Sequence, residues 1–345
     1  MSQDTSQDKG QDYRTLPEWP LAYPATGALA TLKQENDDFQ VTEIPQELPQ
    51  GEGEHVWLYV EKIGANTQYV AAQLAEFAKV RELDVGYAGL KDRYAVTRQW
   101  FSVWMPKAEA PDFTALSHPE FRVLEQARHT KKLRPGDLLG NRFVIRLRDV
   151  QGEKALIETN LNAIRDGGVP NYFGAQRFGR EGDNVAQGMA MLQREIRVRN
   201  KKKKGLYLSA VRSFLFNEVI ARRIHDGIWG QTLNGDLLDD SGMPTGPMWG
   251  RGRLTTTDDA LALETDVTSA HDILCEGLEH SGLNQDRRSL AARPDGLRWE
   301  WPENDQLLLT FSLPAGYYAT SLLREFIATS EPSRINNDDS VVVER

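Results

Sequence analysis

Strand-forming residues crowd the first 150 positions of this chain and return only near its end, with a more helical stretch between. "DFQVTEI" (38–44), "HVWLYVEK" (55–62), "QWFSVW" (99–104) and "NRFVIRLRDV" (141–150) are rich in β-branched and aromatic residues, which suit a pleated, packed surface. "DQLLLTFSLP" (305–314) has the same character. A late strand after a helical middle predicts one α+β domain interrupted by an insertion. Length agrees with this, since 345 residues exceed what one hydrophobic core usually organises.

The helices are marked by spacing and punctuation. "NTQYVAAQLAEFAKV" places Val70, Leu74 and Phe77 on one face behind a cap at Asn66 or Thr67. "EKALIETNLNAIRDGG" does the same with Ile157, Leu161 and Ile164, and stops at Gly167-Gly168 with Pro170 beyond, a first boundary. "LSAVRSFLFNEVIARRI" (208–224) is a second strong helix through Val211, Phe214, Leu215 and Ile224, and "AGYYATSLLREF" (315–326) begins a helix after Pro314 and Gly316. The polar ends, residues 1–14 and 331–340, are expected to fray.

Composition excludes several functions. No apolar run approaches a membrane span, and the first residues lack the apolar core of a secretion signal, so a cytoplasmic protein is expected. One cysteine, Cys275, forms no internal disulfide, and six scattered histidines lack zinc-site spacing, so no metal is expected. Phosphate-loop, dinucleotide and nucleophile-elbow motifs are absent. A net charge of −9 argues against indiscriminate nucleic-acid binding. The average conceals "RVRNKKKKG" (197–205), in a stretch from Arg194 to Arg212 where eight cations face a single acid, Glu195. Lys201, Lys202, Lys203 and Lys204 form either an electrostatic handle for phosphate or a solvated lysine loop.

"YAGLKDRYAVTRQWFSVW" (87–104) sets Asp92 between Lys91 and Arg93 at a strand end. Neighbouring cations favour the carboxylate, which can serve as nucleophile or base, or merely as half of a surface ion pair. In an extended chain Lys91 and Asp92 point to opposite faces, which leaves Lys91 to the backbone or to RNA phosphate. In the strand 141–150, alternation puts Asn141 and Phe143 on one face.

"GLKDRYAVTRQ", "LGNRFVIRLR", "NYFGAQRFG" and "LPAGYYATSLLREF", in this order after "DFQVTEIP", resemble the TruD family of tRNA pseudouridine synthases over nearly the whole chain. The resemblance implies an α+β pseudouridine synthase catalytic domain with a mixed, largely antiparallel sheet, interrupted by a TRUD-type insertion. The expected segments are 15–168 and 305–345 for the catalytic domain and 169–304 for the insertion. It further implies isomerisation of uridine to pseudouridine at nucleotide 13 of tRNA, without cofactor or metal, with tRNA as its only implied partner; a monomer is expected.

In the family pattern the acid of "GLKD", here Asp92, is catalytic, while Phe39, Asn141 and Phe143 lie at the uridine. Phe143 stands where other pseudouridine synthases commonly carry tyrosine, so it cannot remove the C5 proton. "NYFGAQRFG" is expected to line the cleft between domains, with Gln176 and Arg177 as supporting residues and its aromatics either stacking on RNA or packing a hinge. A non-catalytic RNA-binding protein is the competing reading, and a metal-dependent nuclease finds no carboxylate cluster.

Overall fold

The computed structural model describes residues 13–106, 109–179 and 182–333. In chain order the first strands are β1 (Leu29–Leu32), β2 (Phe39–Pro45) and β3 (His55–Ile63). Helix α1 (Thr67–Ala78) precedes β4 (Val85–Tyr87), β5 (Val96–Trp104), β6 (Phe121–His129), the 14-residue β7 (Leu138–Gln151) and helix α2 (Lys154–Gly167). There follow β8 (Val169–Pro170), α3 (Asn184–Leu192), α4 (Lys201–His225), β9 (Thr245–Met248), α5 (Asp258–Ser269), α6 (Asp272–Glu279), β10 (Asp286–Ser289) and β11 (Ala291–Ala292). The chain then forms β12 (Asp295–Glu303), β13 (Gln306–Pro314), α7 (Ala319–Leu323) and β14 (Ala328–Ser330).

The described residues divide into two compact units. The sheet unit holds 25–166, 293–319 and 326–333, and the helical unit holds 13–24, 167–292 and 320–325. The chain re-enters the sheet unit at 293, earlier than the 305 read from sequence, because β12 pairs along β13 from Asp295↔Ser312 to Glu303↔Gln306. The short segment 320–325 goes with the helical unit: Ser321 donates to the Tyr172 carbonyl and Arg324 to that of Trp19.

The sheet runs β12-β13-β7-β2-β5-β3-β6, with β1 beside β7 and β14, and β4 beside β5. Only β2 with β5 and β1 with β14 are parallel, so the sheet is mixed and largely antiparallel. Its registers align Phe311, Phe143, Val41, Thr97 and Lys62 in one row across five strands. Side chains two apart share a face, so this face also carries Asn141, Glu43, Gln99 and Val60. At one end α1 covers it, packing Val70, Leu74 and Ala75 on Leu58, Val60, Phe101 and Val103. The opposite face carries a charge ladder in which Arg98 and Arg122 both bind Glu61.

Asn66 is the cap of α1, accepting from the Tyr69 N–H, which frees Thr67 for other bonds. Several sequence expectations need correction. Strand β6 carries exposed charges after Phe121 and Val123 and escapes pattern reading. The lysines 201–204 are the first turn of α4, capped by Asn200, and not a loop. Tyr13 is buried and hydrogen-bonded to His271 at 2.8 Å, and Glu331 pairs with Lys33, so these two residues are tied down, while 1–12 and 334–340 of the ends expected to fray lie outside the described residues.

Candidate active site

Residues 88–95 form the loop between β4 and β5, and it is tied at almost every step. The Gln99 amide donates to the Gly89 carbonyl at 2.9 Å, and Thr67 Oγ1 accepts the Lys91 N–H at 2.9 Å. Arg93 Nε donates to the Gly64 carbonyl, whose own N–H returns to the Arg93 carbonyl. Backbone groups pulled from water must find such partners, and here they fix the direction in which residue 92 leaves the chain.

Asp92 is about one-third exposed at its side chain, 30%. Its Oδ1 accepts the Tyr94 N–H at 3.1 Å, an Asx turn, and its Oδ2 accepts from Lys33 Nζ at 2.5 Å. Burial favours the neutral acid, but the Lys33 ammonium, the Tyr94 N–H and the charge of Lys62 together outweigh it and hold the carboxyl below its ordinary range. Lys33 answers in kind: burial works against its charge, and Asp92 with Glu331 raise it above the usual ammonium value. It sits in left-handed backbone at φ 56°, with Nζ 4.8 Å from the Phe39 ring centre.

Phe39 and Phe143 meet edge-on with centroids 6.2 Å apart, and Phe143 stacks on Phe311 at 5.3 Å. Asn141 lies two residues before Phe143 on the same face of β7, opposite Glu43. Its Oδ1 is buried and has no hydrogen-bond partner among the described residues. Gly140, inside β7, lets the backbone of β13 approach closely, because a Cβ there would stand 2.3 Å from the Leu313 carbonyl oxygen.

The sequence-derived residues separate into groups. Asp92, Phe39 and Phe143 are joined through Lys33, with Asn141 on the neighbouring register of the same face. Lys91 is not available to RNA phosphate: its side chain is 5% exposed and its Nζ binds Glu43 at 2.8 Å, while Glu43 also accepts the Trp100 N–H. Tyr172, Phe173 and Phe178 are buried within the helical unit, which removes them as RNA-stacking groups. Gln176 is exposed, and Arg177 donates to Ser209 Oγ at 3.0 Å with its guanidinium over Phe173. Both belong to the helical unit, as do the exposed Lys201 to Lys204.

Lys33, Glu43, Lys62 and Glu331 escaped the reading of the sequence. Two of them left a signal. Glu43 continues the Phe39–Val41 alternation and Lys62 the Leu58–Val60 alternation, so each charge falls on an apolar parity. Lys33 and Glu331 left none, because their partners are far away in sequence.

The tRNA pseudouridine synthase D (TruD) family model matches residues 21–201. The chain belongs to the TruD family. Among relatives, the tRNA pseudouridine synthase D of Xanthomonas euvesicatoria pv. vesicatoria (strain 85-10) is 44% identical over 356 residues, covering 92% of this chain and 96% of that protein. That of Hydrogenovibrio crunogenus (strain DSM 25203 / XCL-2) is 41% identical over 333 residues, covering 90% and 96%. The crystal structure of the putative tRNA pseudouridine synthase D from Methanosarcina mazei matches with a TM-score of 0.65 at 21% identity, covering 92% of this chain and 95% of that one, and shows the shared fold. No helix among the described residues is long and apolar enough to cross a membrane.

Proposed function

We propose that this chain converts uridine to pseudouridine at nucleotide 13 of tRNA in the cytoplasm, with Asp92 as the catalytic carboxylate. The observation that carries the reading is an aspartate kept ionised by Lys33, partly open to solvent, beside the Phe39–Phe143 pair. The reaction breaks the bond from uracil N1 to the sugar C1′, turns the base and joins C5 to C1′. One proton leaves C5 and one arrives at N1. Atoms and electrons balance within the nucleotide, so the chemistry needs no redox partner.

Breaking the glycosidic bond makes the sugar electron-poor. A carboxylate assists either by bonding to C1′ or by removing the 2′ proton to give a glycal. Asp92 suits both, because an anion poised at neutral pH is required in each. A stacked uridine must be turned out of its helix first, at a cost of a few kcal/mol. The Phe39 and Phe143 rings offer its plane an apolar wall, and the orphaned Asn141 Oδ1 offers an acceptor for the uracil N3–H. Lys201 to Lys204, exposed at the positive end of α4, draw the RNA backbone by charge.

The test is tRNA carrying tritium at uridine C5. Wild-type protein releases label from a tRNA with uridine at nucleotide 13 and none when that nucleotide is cytidine. Asp92→Asn lowers the rate by about 10⁴-fold or more while retaining tRNA binding. Label release undiminished in Asp92→Asn refutes the assignment.

A further inference from the structure

We infer that Lys62, sealed beneath the Asp92 loop, is a positioning residue of the reaction, fixing the main chain of Asp92 and lending its carboxylate a second positive charge. The inference rests on the catalytic role proposed for Asp92.

Lys62 is fully buried, at 0% exposure, next to the last residue of β3 and on the same face as the core residues Leu58 and Val60. The pairing Lys62↔Thr97 puts it on the covered face of the sheet, at the end of the row that includes Phe143. Its Nζ donates to the Asp92 carbonyl at 2.6 Å and to the Ala65 carbonyl at 2.8 Å. Among the described residues no carboxylate forms an ion pair with it. A buried charge held only by carbonyl dipoles is expensive.

Fastening a loop does not demand that expense. The neighbouring Gln99 closes the same loop on Gly89 with a neutral amide. What a cation adds is a field. Asp92 feels Lys33 from one side and Lys62 from the other, and both favour its anionic form. Such fixed charges hold the carboxylate ionised and in place without reorganising, so that the anion is ready when the sugar turns electron-poor. Among the described residues the groups facing Lys62 are few: β5 offers the uncharged Thr97 and β6 the uncharged Phe121, the turn before α1 offers the Ala65 carbonyl, and the loop offers Asp92 and Lys91. Burial lowers the ammonium to about 8, with Asp92 opposing the shift and Lys91 adding to it. Lys62 is therefore charged at neutral pH and loses its proton in mild alkali.

Lys62→Gln keeps a neutral donor for the two carbonyls and removes the charge. Measured against wild type and Asp92→Asn, it should lower kcat about 10- to 100-fold and leave KM for tRNA within about twofold. The acid limb of its pH–rate profile should move to higher pH, since Asp92 has lost a neighbouring cation. A kcat within about threefold of wild type with an unmoved acid limb overturns the inference. If Lys62→Gln does not fold, as judged by its thermal transition, the wild-type profile decides. A fall of kcat in alkali with an apparent pKa of about 8 supports the inference, and a profile flat to about pH 10 overturns it. Turnover retained in Asp92→Asn defeats the reading beneath it and this inference together. A silent Asp92→Asn beside a fully active Lys62→Gln defeats this inference alone.

Discussion

Two clusters of cations in this molecule have similar formal charge and opposite physical circumstances. Around Asp92, Lys33, Lys62 and Lys91 are almost wholly buried, and each ammonium has a named partner within hydrogen-bond distance. Along the first turn of α4, Lys201 to Lys204 are exposed, and Lys203 lies over the Tyr207 ring. The first arrangement spends desolvation energy to hold groups in one geometry. The second keeps its charges hydrated and movable, and it places them where the helix dipole is already positive, which weakens the helix slightly and strengthens its pull on anions. Charge count alone does not distinguish chemistry from capture; burial and partnership do.

The largest test of this contrast is Glu43→Gln. It strands the Lys91 ammonium in the interior and should cost about 3–5 kcal/mol of stability, measurable as a lower midpoint in urea. A loss below about 1 kcal/mol would mean that the pair behaves like a surface one. Next in size, Lys33→Met should reduce kcat by roughly 100-fold and shift the acid limb upward, because the depressed Asp92 carboxyl returns toward its ordinary range once its nearest cation is gone. In the wild type that limb should lie below the ordinary carboxylate range.

Replacing Lys201 to Lys204 together by glutamine should raise KM for tRNA about tenfold, leave kcat near wild type and make the salt dependence shallower by roughly two to three ions. An equal loss of kcat would erase the distinction between the clusters.

The smallest effect sharpens the comparison from the other sign. Glu325 is a fully buried acid whose carboxyl is raised from 4.5 to about 7 by burial, against the Ala22 N–H that it accepts. Since its folded value exceeds the unfolded one, its contribution is complete below about 4.5 and disappears as pH rises through about 7. Glu325→Gln should therefore add about 1–2 kcal/mol at pH 8 and close to nothing at pH 4, read from melting curves at the two values.

The strongly periodic strands and helices were legible in their order, because they depend on local periodicity, whereas β1, β6, β12 and α3 were not read. The sequence placed Asp92 at the end of a strand, and it put Asn141 and Phe143 on a common face, since alternation is a property of the strand itself. The opposite faces expected of Lys91 and Asp92 did not carry over, because 88–95 is a loop and both partners, Glu43 and the Lys33 that lies over Phe39, belong to the Phe39–Val41–Glu43 side of the sheet. Nor were those partners legible: Glu43 is 48 residues from Lys91, and Lys33 is 59 from Asp92. Those contacts come from strand order, which a single sequence does not encode locally. The aromatics of "NYFGAQRFG" left stacking on RNA and packing open for a related reason. Tyr172 packs on Trp19 from the far start of the chain, with centroids 5.9 Å apart, and nothing within the motif says that a distant tryptophan will cover it.

Strand β7 also sets a schedule for synthesis. Along one side it takes β2 and β1, which precede it, but the other side waits for β13, and β1 waits for β14. On the ribosome, the helical unit between them emerges while that flank is still bare. The nascent chain thus carries an unzipped edge, open to self-association, while residues 152–305 are being added. Its acid loop is made early, yet Phe143 gains the Phe311 beneath it only near the close, so a ribosome stalled before β13 should release a protein without turnover.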